Sequence, residues 1–373
     1  MTTFQTLPIP KESLFVWAFI PYKITEQGLI GEFYDHQCYR QELASVFAEL
    51  GIKWKWQPIT SENMHAVVEE VVASSSDYTP MVLNYCDGFD EVDGYPGLSV
   101  IKLLEAKDII FTGADSNFEY LTISKIRMKQ ALLESGVCTA PYEVISDVSK
   151  IGGICERLGT HLVVKPAISH SGIGLSSKSV VHSDEEIYQQ TQYLLKEQKE
   201  AKFTLGNIFV ESFINGREFT VFILGSAQEP ESIKIYPPLE FVFNSSLPDF
   251  KKFKSHQILL EGDFCLSGQL VSYPLSDKIC ELGKRAYCAV NGNGYGRVDI
   301  RIDKTTQELF VLEVNANCSI SSQPISQSFE YGQTSVGTIL QKVGIPFPQL
   351  MSEIIAEALT AKIPSPSLGN TKN

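Results

Sequence analysis

The 373-residue chain lacks the marks of several large protein classes. Its eight cysteines include no CxxC pair and its six histidines fall at no metal-ligand spacing, so neither a disulfide framework nor a zinc site is indicated. Basic residues are few: 31 Lys and Arg against 44 Asp and Glu give a formal net charge of -13. Such a chain is repelled by phosphate backbones and anionic membranes, which disfavours nucleic-acid and membrane partners. The apolar run Leu14–Ile20 is shorter than a membrane span, has no basic leading region and is bounded by Pro21. It reads as a first buried strand rather than a signal peptide, and the protein as cytoplasmic. The phosphate-loop pattern GxxxxGK[ST] is absent, as are internal repeats and low-complexity blocks.

What is present is a globular composition, with 43% hydrophobic and 20% charged residues. The length suits two or three domains. In the N-terminal third, LFVWAFI, RQELASVFAELG, KWKWQPI, AVVEEVV and MVLNY alternate strand and helix patterns. This rhythm builds a parallel sheet that holds ligands at the carboxyl ends of its strands. The fold class is therefore α/β, passing to α+β in the C-terminal part. The domain limits are an N-terminal α/β domain over 1–120, a small central domain over 121–205 and a C-terminal domain over 206–350. A terminal helix and a disordered tail are expected over 351–373.

Three stretches carry candidate chemistry. In GYGRVDIRIDKTTQELFVLEVNAN a strand alternates Arg297, Asp299, Arg301 and Asp303 with Val298, Ile300 and Ile302. The chain then turns at Lys304–Gln307 and returns with Glu313 and Asn315 on one face. If Asp299 pairs with about Glu313, then Arg297, Asp299, Glu313 and Asn315 converge; a slip of one residue would separate them. Two carboxylates and an amide oxygen suit Mg²⁺, and a neighbouring guanidinium suits a developing oxyanion. The two strands alone fit equally a solvated face with scattered salt bridges; the Asn two residues after a Glu, behind a very apolar run, favours the metal face. VVKPAISHSGIGLSS brings Lys165 to a loop with Ser171, Gly172 and Gly174, suited to phosphate oxygens or to a plain flexible turn. FVESFINGREFTVFILG offers Glu211 and Glu218 at strand ends, and Lys125 and Lys252 are further cations. For all four, surface salt bridging or solvation is the commoner fate.

Taken in order, these elements resemble the ATP-grasp superfamily, and within it the D-alanine–D-alanine ligase group, from about residue 14 to 345. The resemblance implies three domains, with ATP and Mg²⁺ (or Mn²⁺) between the last two. It implies Lys125 and Lys165 on ATP phosphates under the loop of Ser171, Gly172 and Gly174, and Glu211 and Glu218 on adenine and ribose. Asp299, Glu313 and Asn315 match its metal ligands, Arg297 its oxyanion-stabilising arginine and Lys252 its mobile-loop lysine. Glu32, Asp87, Ser319, Ser321 and Ser322 fall at substrate-facing positions. There the pattern departs: Pro21-Tyr22-Lys23 replaces a Gly-Gly turn, Cys86-Asp87-Gly88 replaces His-Gly, Cys318-Ser319 follows Asn317, and Pro324 stands where a serine is expected. The implied activity is ATP-dependent joining of a small-molecule carboxylate to an amine, with release of ADP and phosphate, by a homodimer. A D-alanine–D-alanine ligase proper, a mycosporine-like amino-acid ligase, a kinase-like enzyme and a non-catalytic nucleotide binder are the alternatives.

Overall fold

The structure is a computed structural model that describes residues 4–31, 35–168, 175–197, 203–253, 267–322 and 334–362. The N-terminal part runs β1 (Leu14–Thr25), β2 (Gly28–Gly31), α1 (Gln37–Leu50), β3 (Lys53–Ile59), α2 (Met64–Ala73), β4 (Thr79–Asn84), α3 (Leu98–Ala106) and β5 (Ile110–Phe111). Here β1 pairs in parallel with β3 and β4, and β4 with β5, as the alternating pattern predicts. The first strand does not stop at Pro21 but continues to Thr25 and pairs antiparallel with β2. Proline is tolerated because the β4 pairing has ended at Phe19, so on that side its missing N–H breaks no ladder bond.

The central part begins with α4 (Ser116–Ile123) and α5 (Lys125–Glu134), followed by β6 (Tyr142–Val144), α6 (Ile154–Leu158), β7 (Leu162–Pro166), β8 (Val180–Val181), α7 (Asp184–Glu197) and β9 (Ile208–Ser212). Its antiparallel sheet has the order β6-β9-β7-β8. Strand β9 lies beyond residue 205 and still belongs to this sheet. The C-terminal part runs β10 (Gly216–Leu224), β11 (Lys234–Ile235), β12 (Leu239–Val242), β13 (Ser267–Leu270), α8 (Leu275–Ala289), β14 (Tyr295–Asp303), β15 (Leu309–Ala316), α9 (Ser335–Val343) and α10 (Phe347–Lys362). Its antiparallel sheet has the order β13-β12-β10-β14-β15, with β11 beside β10.

Helix boundaries follow local chemistry. The His36 side chain accepts from Cys38 N–H at the start of α1, and Gly51 ends it with φ 68. The Ser124 hydroxyl accepts from Arg127 N–H at the start of α5. One face of α1 buries Tyr39, Leu43, Val46, Phe47 and Leu50 at helical spacing, and Glu42 lies among them.

The largest apolar core joins β1, α1 and β4 to β10, β12, α9 and α10, so N-terminal and C-terminal parts share one interior. α10 packs on α1 and β5. A second core fills the space between α5, α8 and the β10-β14-β15 layer, and a third serves the central sheet alone. Among the described residues no helix is long and apolar enough to cross a membrane. Because Ile355 of α10 is fully buried in the shared core, Ile355→Ala should lower the unfolding free energy by about 3 kcal/mol. A urea titration reads this as a shifted midpoint with an unchanged slope.

Candidate functional site

The β14–β15 register sets Arg297 opposite Asn315 and Asp299 opposite Glu313, the alignment that brings all four to one face. The register shifts between Asp299 and Ile300, whose partner is Val311, so Leu312 is the extra residue of a bulge. Bulges re-aim side chains locally, and this one lies directly beneath the polar group. Arg297 donates through Nε to Asp299 Oδ1 at 3.1 Å and through Nη2 to Oδ2 at 3.1 Å. Thr220 on β10 donates to Asp299 Oδ1 at 2.6 Å, and Asn315 Nδ2 to Oδ2 at 3.3 Å. Burial alone would lower the Arg297 guanidinium, but Asp299, with Cys318 and Glu313, holds it above its ordinary value. This cation stays charged.

Lysines approach the same face from the central part. Lys125 opens α5, where its N–H donates to Ala167 O at 2.7 Å, and its Nζ lies 2.8 Å from Glu313 Oε1. Lys165, at the end of β7, lies 2.5 Å from Glu211 Oε1, and the buried Lys129 lies 2.6 Å from Glu211 Oε2. Lys129 also donates to Thr139 Oγ1 at 2.8 Å and Ala140 O at 3.2 Å, and Thr139 donates to Val311 O at 2.7 Å. This chain of bonds links the lysine pair to the bulge. Burial would raise the Glu211 carboxyl, but Lys129 and Lys165 pull it down to about 2.

Glu218 on β10 stands opposite Arg301, with Nε to Oε2 at 3.5 Å, and Arg301 lies over the Phe213 ring. Arg301 also donates to Gly216 O and Lys252 O. The Lys252 ammonium is 3.1 Å from Asp249, which in turn takes Lys304 at 2.5 Å. What Lys252 offers the Arg301 cluster is therefore its carbonyl.

At the far end of the hairpin Asn317 adopts φ 47, accepts from the Tyr295 hydroxyl at 2.8 Å and donates to Cys86 O at 3.1 Å. Gly113, at φ +91, permits this approach: a Cβ there would stand 2.4 Å from Asn317 Oδ1. The Cys318 thiol is pushed up to about 12 by burial, although Arg297 draws it the other way. Asp87 and Ser319 are half-buried near this turn. Ser321 and Ser322 both bond Glu42 of α1: Ser321 Oγ at 2.5 Å, Ser322 N–H at 2.9 Å, and the Ser322 hydroxyl as well. Glu32, Ser171, Gly172, Gly174 and Pro324 lie outside the described residues.

The fold thus brings together Arg297, Asp299, Glu313, Asn315 and Lys125, and separately Lys165 with Glu211 and Glu218 with Arg301. Lys129, Thr220 and Glu42 were not anticipated from the sequence. Lys125, Met128, Lys129 and Leu132 form the buried stripe of α5, so the legible signal for Lys129 was a lysine at i+4 inside an apolar helical face.

A three-part arrangement in which such a hairpin meets a lysine from a smaller unit built on an antiparallel sheet is that of the ATP-grasp ligases. The family model described as "D-ala D-ala ligase C-terminus" matches residues 134–356. The D-alanine–D-alanine ligase of Acinetobacter baylyi is 26% identical over 258 residues, covering 69% of this chain and 74% of that protein. D-alanine–D-alanine ligase B of Xanthomonas campestris pv. campestris is 26% identical over 306 residues, covering 81% and 84%. The crystal structure of D-alanine–D-alanine ligase from Bacillus anthracis complexed with ATP superposes with TM-score 0.62 at 16% identity, covering 94% of this chain and 98% of that one. This chain belongs to the D-alanine–D-alanine ligase family. It is an ATP-dependent carboxylate–amine ligase, an ADP-forming enzyme of carbon–nitrogen bond formation.

Glu211→Gln would leave the buried Lys129 and the half-buried Lys165 ammonium groups against a neutral amide, so a loss of about 3 kcal/mol in stability is expected by chemical denaturation. The Glu211 carboxyl is lower in the folded chain than its ordinary 4.5. Its stabilising contribution is therefore complete above pH 4.5 and should drain away as pH falls toward 2 in the parent but not in the variant.

Proposed function

We propose that the hairpin face is the reaction centre, with a divalent metal at Asp299, Glu313 and Asn315 and ATP phosphates at Lys125 and Lys165. The observation that carries this reading is the β14–β15 register, which sets the two carboxylates opposite one another with Arg297 and Asn315 alongside. The donor set is all oxygen, and among the described residues no three His, Cys, Asp or Glu side chains form a rival metal cluster. Two carboxylates and an amide, completed by water and phosphate oxygens, fit Mg²⁺, and Mn²⁺ as a substitute. Bound there, the metal supplies charge neutralisation to the phosphates.

The chain's own groups then account for the rest. Lys125 and Lys165 neutralise charge while a substrate carboxylate oxygen attacks the terminal phosphorus and ADP departs. Glu218 accepts from a ribose hydroxyl, whereas Glu211, with both oxygens on lysines, holds Lys165 in position. Lys252 reaches the terminal phosphate once it leaves Asp249. The acyl phosphate is then attacked by an amine: the new C–N bond forms, the C–O bond breaks, and phosphate leaves with the amine's proton released. Arg297 holds the developing oxyanion during that step. The donor and acceptor meet near Asp87 and Ser319. Domain limits near 120 and 350, with the central domain extended to the end of β9 at Ser212, a homodimeric assembly and a cytoplasmic location belong to the same reading.

The test is ADP release from ATP and Mg²⁺ with a panel of carboxylates and amines, D-alanine among them. Release that requires both partners supports the ligase; a single phosphorylated product, or nucleotide binding without turnover, overturns this reaction scheme. Glu313→Gln should keep the fold and lose turnover by about a hundredfold or more, since one charge leaves the metal face at nearly constant volume. Near-parent activity in that variant would displace the metal from this face.

A further inference from the structure

Two lysines share one buried carboxylate in the central part. Lys165 Nζ lies 2.5 Å from Glu211 Oε1, and Lys129 Nζ lies 2.6 Å from Glu211 Oε2. One cation would already balance the charge of Glu211, so the second calls for a reason of its own. The two lysines differ in what else they can reach. The Lys165 side chain is 18% exposed at the end of β7, whereas that of Lys129 is 1% exposed within the buried stripe of α5.

Lys129 is enclosed by acceptors. Besides Glu211 they are Thr139 Oγ1 at 2.8 Å and Ala140 O at 3.2 Å. Thr139 gives its own hydroxyl proton to Val311 O at 2.7 Å, so toward Lys129 it can only accept. Three acceptors around one nitrogen call for three protons, and Lys129 is therefore an ammonium with no N–H left for a ligand. Burial works against its charge and Glu211 restores it. The Tyr142 ring, with its centroid 5.3 Å from Nζ, adds a further favourable contact.

Lys165 and Glu211 by themselves would form a neutral pair, which exerts little field on an anion. With Lys129 the group holds two positive charges and one negative, a net positive charge whose only partly exposed member is Lys165. That group adjoins the hairpin face. Glu313 attracts the Lys129 ammonium, and Lys125, which meets Glu313, donates its N–H to Ala167 O just beyond β7.

We infer that Lys129 is a positioning residue for nucleotide binding: by cancelling the charge of Glu211 it leaves that of Lys165 undiminished for the phosphates of ATP. It touches no substrate and acts through Glu211. The inference rests on the reading of Lys165 as a phosphate contact. Acting across two intervening side chains, the Lys129 charge should change ATP affinity roughly tenfold.

The experiment measures, by calorimetry at fixed Mg²⁺, the affinities of the full chain for ATP, ADP, AMP and adenosine. In Lys129→Met, ATP should bind roughly tenfold more weakly, ADP and AMP progressively less so, and adenosine as in the parent. A merely structural role would weaken all four alike. Lys129→Met combined with Glu211→Gln leaves Lys165 as the single charge of the group, so most of the lost ATP affinity should return; a structural role predicts a deeper defect. Melting curves establish that each variant is folded, and Lys129→Gln, whose amide keeps a donor, replaces Lys129→Met if that chain does not fold. Lys165→Met tests the underlying reading. If it leaves the preference for ATP over adenosine intact, Lys165 is no phosphate contact and both ideas fall. If it removes that preference while the neutral variant of Lys129 retains it, the inference alone is overturned, as it is by equal weakening of all four ligands or by no recovery in the double variant.

Discussion

One carboxylate ties three strands together on the polar face of the β14–β15 hairpin. Asp299 on β14 accepts from Thr220 on β10, from Arg297 on its own strand and from Asn315 on β15. Everything else at the site is placed relative to it. Its opposite neighbour Glu313 is reached by Lys125 from α5, and the bulge beside it connects through Thr139 to Lys129 and Glu211. Because side chains alternate with a period of two, the pairing has only one useful alignment, and a slip would turn Arg297 and Asp299 toward the apolar layer under α8.

This is why so much of the site was legible in the sequence. Alternation in RVDIRID and the two-residue spacing of Glu313 and Asn315 are properties of single strands, and the turn length joins them. The parallel N-terminal sheet was legible for a similar reason, since strand and helix periods alternate within short windows. What could not be read were partners remote in the chain. Nothing near Ser321 announces Glu42, 279 positions away, and nothing near Lys165 announces that Lys129 shares its carboxylate. The run past Pro21 was hidden as well, because whether a missing N–H matters depends on where the neighbouring strand ends.

Two of the hidden residues share a pattern. Lys129 lies in the apolar stripe of α5, and Glu42 in that of α1. Burying a charge is costly unless a counter-charge or donors await it, so a charged residue on the inward face of an otherwise amphipathic helix points to a partner elsewhere. Lys129 finds Glu211, and Glu42 finds two serines and a backbone N–H. The Glu42 contacts join the N-terminal part to the segment after β15, and the Lys129 contact joins α5 to the sheet of its own part.

The packing of α10 on α1 and β5 has a consequence for synthesis. One side of the N-terminal sheet is covered by residues of β10, α9 and α10, so that side stays open while the ribosome makes everything between. The central antiparallel sheet, with an apolar interior drawn almost wholly from its own stretch of chain, can close much earlier. The emerging polypeptide therefore carries an unfinished first unit past a finished second one, a period in which apolar surface of the first sheet stays exposed.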